Sequence, residues 1–106
     1  MAAAPPPPYL YKILTLEEWA DFQKCGTFTG STLDKKDGFI HTSTLEQRDT
    51  TRRKFFAGVE VVVVEMDTAK IKDPIKLEAK QPGATSYYHI YGTMPLHAVV
   101  SSTKLT

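Results

Sequence analysis

The sequence predicts a single α+β domain in which two helices pack on a curved, mostly antiparallel or mixed sheet. Three observations support this fold class. Helix signals lie in the first half of the chain, strand-like alternation dominates the second half, and 106 residues suit one hydrophobic core. Helices followed by a run of strands are typical of α+β domains and not of repeating βαβ units.

The chain begins with a proline-rich segment that is predicted to lie outside the domain. Four consecutive prolines at positions 5–8 cannot enter a helix interior or a central strand. Residues 1–8 are therefore predicted to be a disordered polyproline tail, and residues 9–106 to form the single α+β domain. The segment lacks the basic start and apolar core of a secretory signal, so we expect a cytoplasmic address, with the nucleus as an alternative.

The first strand and the first helix follow the tail directly. Alternation over residues 9–14 predicts a strand buried on at least one face. Thr15 and Glu18 have the spacing of a capping box, which predicts a helix that ends before Gly26. The apolar stripe of this helix is predicted to face the core and consists of Leu16, Trp19 and Ala20.

The middle of the chain contains a turn, a short strand and the second helix. The polar run at residues 34–38 ends in Asp-Gly, which predicts a turn, and residues 39–43 form the next strand. The second helix is predicted to run to the Phe55-Phe56 pair and to end at Gly58. Two capping boxes could open it, Ser43 with Glu46 or Thr44 with Gln47.

Four segments in the second half are predicted to be strands. Residues 59–66 are rich in β-branched side chains and predict a buried central strand, too short and too charged to span a membrane. Residues 75–79, 87–91 and 96–101 alternate like strands and are separated by turn-forming residues.

Polar side chains gather on two of these strands. Because side chains alternate across a strand, His41 and Ser43 share one face of theirs, and His89 and Tyr91 share one face of theirs. An imidazole serves as general acid, general base or ribose partner near neutral pH, and a tyrosine ring stacks on planar ligands. We predict that these four residues line one concave site. Ser43 also fits the simpler role of a helix cap.

Two further residues are candidates for the same site. Glu78 could supply a carboxylate to the cluster, with an outward-facing position as the alternative. Arg48 and Arg52, one helical turn apart, could clamp a phosphate or form a solvated helix face. The three histidines have no metal-binding spacing, so no metal site is predicted. A net charge of +1 argues against an extended nucleic-acid surface.

Several motifs in one order resemble the family called domain of unknown function 952, over nearly the whole predicted domain. The motifs are Tyr11-Lys12-Ile13-Leu14, Glu18-Trp19, Asp37-Gly38-Phe39-Ile40-His41-x-Ser43 with Gln47, Phe55-Phe56-Ala57-Gly58, and Glu78 followed by His89-Ile90-Tyr91-Gly92. This family resembles a compact ADP-ribosyltransferase fold, and residues 39–43 resemble a strand of the NAD-dependent RNA 2′-phosphotransferases. The resemblance implies a nucleotide-shaped cleft with NAD or ADP-ribose as ligand. The histidine that grips the nicotinamide ribose in those enzymes is missing from residues 11–15.

The resulting functional hypothesis is a small enzyme, or a degenerate one, with ADP-ribosyl or phosphate transfer-type chemistry on an ADP-ribose-like or phosphorylated nucleotide. The catalytic candidates are His41, His89 and Glu78, and the ligand-binding candidates are Ser43, Tyr91 and Arg52. If a glycosidic bond is broken, Glu78 would stabilise the positive charge that develops at the anomeric carbon. The alternative is a non-catalytic module that binds a small anionic metabolite. A carboxylate that converges on the histidines would favour catalysis.

Overall fold

The computed structural model describes residues 5–105, and these form three α-helices and eight strands. In chain order the elements are β1 (Tyr9–Thr15), α1 (Leu16–Cys25), β2 (Thr27–Phe28), α2 (Thr32–Asp37), β3 (Ile40–His41), α3 (Arg48–Phe55), β4 (Val61–Asp67), β5 (Ile75–Glu78), β6 (Tyr87–Ile90), β7 (Met94–Pro95) and β8 (Val99–Leu105). Single 3-10 turns at Thr68–Lys70 and Leu96–Ala98 follow β4 and precede β8.

The strands form three small sheets in which neighbouring strands are antiparallel. β4 lies between β1 and β8 in the central sheet, β6 lies between β3 and β5 in the second sheet, and β2 pairs with β7. A bridge between Tyr11 and Ser43 connects the central sheet to the chain that leaves β3. The predicted α+β class is confirmed, whereas the single sheet of the prediction is replaced by three.

The central sheet buries side chains on both of its faces because its middle strand alternates between two apolar clusters. Val62 and Val64 belong to the larger cluster, together with Phe22 of α1 and Ile90 of β6. The smaller cluster lies on the opposite face and contains Tyr11, Ile13, Val61 and Val63, with Phe56 and Leu105 packed against it. This arrangement confirms that the valine-rich segment is a buried central strand.

Helix α1 begins and ends as the sequence predicts, but a different side of it is buried. Thr15 and Glu18 form both hydrogen bonds of the capping box, and Gly26 ends the helix at φ 80°. Phe22 is buried and Trp19 is half-buried, whereas the predicted stripe residues Leu16 and Ala20 are exposed. The buried side is centred on Phe22 because the unpredicted strand β2 places Phe28 against it, with 5.7 Å between ring centres.

The run predicted to be a turn at residues 34–38 is mostly helix, so the described residues contain three α-helices instead of the predicted two. Ser31 and Asp34 form a capping box that opens α2, and Gly38 ends this helix at φ 86°. A side chain at position 38 would have room, so glycine is favoured there by its positive φ, which other residues rarely adopt. The Asp-Gly turn of the prediction is therefore the C-terminal end of this helix.

Three other boundaries differ from the prediction. The strand expected over residues 39–43 is limited to β3, because the chain then crosses to the central sheet at Ser43. Thr44 and Gln47 make the two reciprocal hydrogen bonds of a capping box, but these close a turn and α3 begins after it. The strand expected over residues 96–101 begins only at Val99, after the 3-10 turn.

The end of the proline-rich segment contacts the domain. The Thr68 hydroxyl donates hydrogen bonds to the carbonyl oxygens of Pro7 and Pro8, at 2.6 and 3.1 Å. Residues 1–4 of the predicted disordered tail lie outside the described residues. No helix within residues 5–105 combines the length and apolar character needed to cross a membrane.

Candidate functional site

Four aromatic and imidazole rings meet on one face of the sheet formed by β3, β6 and β5. His41 of β3 lies directly opposite His89 of β6, and their ring centres are 5.4 Å apart. Phe39 stacks on His89 with 3.9 Å between ring centres, and the Tyr91 ring lies 5.4 Å from Phe39. The opposite face of these strands sends Ile40 and Ile90 into the larger core cluster, which fixes the orientation of the rings.

Glu78 of β5 joins this group through two short hydrogen bonds. Its Oε1 atom accepts from the Tyr91 hydroxyl at 2.5 Å and from His89 Nδ1 at 2.9 Å. The register of β5 against β6 places Lys76 opposite His89, so Glu78 is a diagonal neighbour of the imidazole on the same face. We name Phe39, His41, Glu78, His89 and Tyr91 the imidazole cluster.

The hydrogen bonds within the imidazole cluster determine how Glu78 and Tyr91 titrate. Hydrogen bonds from Tyr91 and then from His89 hold the pKa of Glu78 below its usual value, and the Lys76 ammonium acts in the same direction. The same Tyr91 hydrogen bond raises the pKa of the phenol above its usual value. Glu78 is therefore an ionised acceptor at neutral pH, and Tyr91 is a donor.

The ionised state of Glu78 fixes the tautomer of neutral His89. Because a carboxylate can only accept, Nδ1 of His89 carries the proton that points at Glu78. In the neutral ring Nε2 is then a proton acceptor, which is the state that a general base requires. Only 11% of the His89 side chain is exposed, and Phe39 covers one face of the ring.

A buried carboxylate holds the second imidazole. Asp34 of α2 accepts from the backbone N–H of His41 at 3.1 Å, and its Oδ1 atom lies 2.6 Å from His41 Nδ1. The same carboxylate forms an ion pair with Lys12 of β1, 2.9 Å from Nζ to Oδ2. Asp37 lies 3.0 Å from Nε2 of His41, so each ring nitrogen of His41 faces a carboxylate.

Burial and pairing oppose each other at Asp34. Burial acts to raise the pKa of Asp34, but the hydrogen bond from His41, the Lys12 ammonium and the Ser31 N–H outweigh it and leave this pKa far below its usual value. Burial lowers the pKa of Lys12, and Asp34 opposes that change. Lys12 needs such a partner because it lies between Leu10 and Leu14 on the face of β1 that faces the larger core cluster.

Gly92 lets the chain after β6 pass close to the segment before β5. A side chain at position 92 would collide with the carboxylate of Asp73, which would lie 1.9 Å from the added carbon atom. Asp73 accepts a hydrogen bond from the Thr93 N–H, and the Tyr91 N–H donates to the Pro74 carbonyl. Only glycine lets these two segments approach, and their contact holds Tyr91 beside β5.

The structure brings together four of the six residues that the sequence singled out. His41, His89, Glu78 and Tyr91 belong to the imidazole cluster. Ser43 is buried, and its hydroxyl donates to Thr51 of α3 at 3.1 Å, so its side chain contacts the helix. Arg52 also lies on α3 and lines a separate cavity on the other face of the central sheet.

The sequence did not identify four residues that contact the two imidazoles or their carboxylates: Lys12, Asp34, Asp37 and Phe39. The capping-box spacing of Ser31 and Asp34 was available as a helix signal, and a lysine within the apolar strand β1 indicated a buried partner. Neither signal names the partner. Among residues 5–105, no three His, Cys, Asp or Glu side chains are placed to share a metal ion.

The imidazole cluster is partly exposed to solvent. Two cavities, of about 230 and 190 Å³, are lined by other residues, around α3 and beside α1. The side chains of His41 and Glu78 are 28% and 37% exposed. Three of the four residues predicted to line one concave site, His41, His89 and Tyr91, lie together in the imidazole cluster. His89 is buried there, whereas the side chains of His41 and Glu78 are partly open to solvent.

The fold and the imidazole cluster define a small α+β domain with two carboxylate-bound imidazoles. A family model described as "Protein of unknown function (DUF952)" matches residues 13–102, so the chain belongs to this family. The crystal structure of protein CC0527 from Caulobacter crescentus is similar, with 32% identity, a TM-score of 0.83, and coverage of 92% of this chain and 86% of that one. The solution NMR structure of CC0527 has 31% identity and a TM-score of 0.76, with coverage of 91% of this chain and 83% of that one. No curated protein matches the chain.

Proposed function

We propose that the imidazole cluster binds an ADP-ribose-like or other phosphorylated nucleotide and acts on it by acid-base chemistry. The observation that carries this proposal is the hydrogen bond between Glu78 and His89, together with the 5.4 Å distance between the ring centres of His89 and His41. A carboxylate that orients an imidazole beside a second imidazole is an arrangement suited to proton transfer. The resemblance of residues 39–43 to a strand of NAD-dependent phosphotransferases supports a nucleotide as the ligand.

In this proposal each residue of the imidazole cluster has a separate role. Nε2 of His89 accepts a proton from a ribose hydroxyl or a water molecule, and Glu78 stabilises the imidazolium that results. His41 contacts the phosphate or donates the proton to the leaving oxygen through Nε2, in place of its contact with the partly exposed Asp37. Phe39 and Tyr91 supply stacking surface for a base or ribose, and Lys76, 4.8 Å from the centre of the Tyr91 ring, adds positive charge for a phosphate.

The partial exposure of His41 and Glu78 favours a second candidate, a non-catalytic module that binds a small anionic metabolite at the same residues. Binding alone needs no exclusion of water, whereas catalysis is strengthened by a closed site. The two candidates share their ligand-binding residues and differ only in whether the bound molecule is converted.

The test is a thermal-shift screen of the full chain with NAD, ADP-ribose and cyclic nucleotide phosphates. A ligand that binds only the folded state at about 100 times its Kd adds about 2.7 kcal/mol to the free energy of unfolding, which raises the melting temperature. Each ligand that binds is then incubated with the protein and analysed by chromatography. A new product supports catalysis, and an unchanged ligand supports the binding module.

Matched histidine variants connect the result to the imidazole cluster. His89→Ala should abolish the thermal shift, whereas His97→Ala, at an exposed position in the 3-10 turn before β8, should retain it. Circular dichroism of both variants checks that they fold. A full response from folded His89→Ala, or no response of the wild type to any nucleotide, would contradict the proposal.

A further inference from the structure

A cavity of about 230 Å³ lies between α3 and the central sheet, on the face opposite the larger core cluster. We name it the α3 pocket. It is lined by Arg48, Asp49, Arg52, Val63, Thr103 and Leu105. Val63 and Thr103 are cross-strand partners of β4 and β8, so the sheet forms one wall and the helix forms the other.

Positive charge dominates the helical wall of the α3 pocket. Arg48 and Arg52 are one turn apart and therefore project from the same side of α3, whereas Asp49 is the only carboxylate among the lining residues. The Arg48 guanidinium lies 4.7 Å from the centre of the Tyr11 ring, which holds its side chain against the sheet. Two arginines on one side of a helix, lining one cavity, suit the oxygen atoms of a carboxylate or phosphate.

The sheet wall of the α3 pocket is apolar at its base. Val63 belongs to the smaller core cluster, and Leu105 packs against that cluster. Thr103 is exposed and adds a hydroxyl at the rim. A ligand that satisfies both walls has an anionic head and an apolar body. The volume lies below the range of about 300–1,000 Å³ typical of drug-sized ligands, which favours a molecule smaller than a dinucleotide.

We propose that the α3 pocket is a second binding site, for a small organic anion with one carboxylate or phosphate head group. The head group contacts Arg48 and Arg52, and the apolar body rests on Val63 and Leu105. The site is independent of the nucleotide proposed for the imidazole cluster. The two sites lie on opposite faces of the central sheet. Lys12 of β1 pairs with Asp34, which also holds His41 of the imidazole cluster, whereas its neighbours Tyr11 and Ile13 point to the other face, where the α3 pocket lies.

The test uses NMR titration of the full chain with four probes. Phenyl phosphate and benzoate carry both a head group and an apolar body, inorganic phosphate carries the head alone, and benzyl alcohol carries the body alone. We expect saturable shifts of the backbone amides of Arg48, Thr103 and Leu105, with phenyl phosphate or benzoate binding at least about tenfold more tightly than inorganic phosphate. The stronger of the two identifies the preferred head group.

A pair of variants on β8 provides the matched control. Thr103→Glu places a carboxylate at the rim of the α3 pocket, where it competes for the arginines and should weaken probe binding at least about tenfold. Ser102→Glu introduces the same charge at the neighbouring exposed residue, which points to the other face, and should leave binding unchanged. Both positions are exposed, so both variants should fold.

Two variants of other elements complete the test. Arg48→Gln should weaken binding, and His89→Ala should not change it, which separates this site from the imidazole cluster. The proposal would be overturned by non-saturable shifts with all four probes, by saturable shifts confined to the imidazole cluster, or by equal binding to the Thr103→Glu and Ser102→Glu variants.

Discussion

The two imidazoles of the cluster are neighbours, yet the carboxylates that hold them lie in different environments. Asp34, which holds His41, is 2% exposed and has a charged lysine as its second partner. Glu78, which holds His89, has a side chain that is 37% exposed and a tyrosine hydroxyl as its second partner. From this difference we expect the stability of the fold to depend on Asp34, and Glu78 mainly to set the charge and the hydrogen bonds of the imidazole cluster.

Asp34 connects three parts of the molecule. It closes the capping box of α2 with Ser31, neutralises Lys12 of the central sheet, and accepts from both the backbone and the ring of His41. Because a buried charge without its partner is costly, removal of this carboxylate affects more than the site. Glu78 has no comparable connection to the core, since both of its hydrogen bonds are made within the imidazole cluster.

The largest expected effect is therefore the loss of Asp34. Asp34→Ala leaves the Lys12 ammonium buried without its carboxylate and removes the acceptor of the Ser31 N–H in the capping box of α2, and we expect the free energy of unfolding to fall by about 3–5 kcal/mol. Urea denaturation followed by circular dichroism measures this change. For a domain stabilised by roughly 5–15 kcal/mol, the variant would be severely weakened.

Asp37→Ala is the control for this prediction, because Asp37 contacts the same imidazole from a half-exposed position. We expect its effect on the free energy of unfolding to stay within about 1 kcal/mol, as for other exposed ion pairs. Similar losses for the Asp34 and Asp37 variants would mean that the contact with His41, and not the pairing with Lys12, makes Asp34 important.

The second prediction concerns the stability of the protein at low pH. Because the pKa of Asp34 is lower in the folded protein than the value of about 3.9 in an unfolded chain, the folded state binds fewer protons in the interval between them. This contribution to stability is complete above the unfolded pKa and is lost as the pH falls through that interval towards the folded pKa. We expect the melting temperature of the wild type to fall below about pH 5.

Asp34→Asn should flatten this pH dependence, because the amide does not titrate. The difference in melting temperature between the wild type and Asp34→Asn should shrink as the pH is lowered from 7 to 3. The pKa of Glu78 is also lowered, so ionisation of Glu78 adds to stability with the same sign. Because the Glu78 side chain is 37% exposed, Glu78→Gln should flatten the pH dependence of the melting temperature less than Asp34→Asn does. Parallel curves for the wild type and Asp34→Asn would assign acid sensitivity to other carboxyl groups.

Local signals predicted the parts of the fold that depend on neighbours in sequence. The Thr15 and Glu18 capping box placed α1 correctly, and the valine run identified the central strand. Helix α2 was missed because its polar residues and Asp-Gly ending also describe a turn, although Ser31 and Asp34 carried the capping spacing. The buried side of α1 depended on Phe28 in a two-residue strand, which alternation cannot detect.

In the site, too, the sequence predicted contacts between neighbours in the chain and missed those between distant segments. The shared face of His89 and Tyr91 came from strand alternation alone. The partnership of Asp34 with both Lys12 and His41 depends on how α2 packs against β1 and β3, and no spacing within the chain encodes that distance. Ser43 alternates with His41 in sequence, but the crossing of the chain to β1 turns its side chain to α3.

The third prediction tests whether Glu78 tunes the surface without supporting the fold. Glu78→Gln keeps the size of the side chain and removes its charge, so the pKa of Tyr91 should fall towards its usual value because the hydrogen bond to a carboxylate is lost. Ultraviolet titration of the tyrosines, with Tyr91→Phe as the reference for assignment, measures this shift. A large loss of thermal stability in Glu78→Gln would show that both carboxylates support the fold.

The smallest effect on stability is expected for Tyr91→Phe, which removes one hydroxyl and retains the ring beside Phe39. The variant should melt close to the wild type, because the lost hydrogen bond joins two partly exposed side chains and Glu78 keeps its hydrogen bond from His89. The pKa of Glu78 should nevertheless rise, since the hydroxyl of Tyr91 is the main cause of its lowering, and the hydrogen bond from His89 should remain. Carbon-detected NMR of the Glu78 carboxyl group measures this pKa directly. An unchanged pKa of Glu78 would show that His89 and Lys76 lower it without the hydroxyl of Tyr91, and Tyr91 would then act in the imidazole cluster only through its ring.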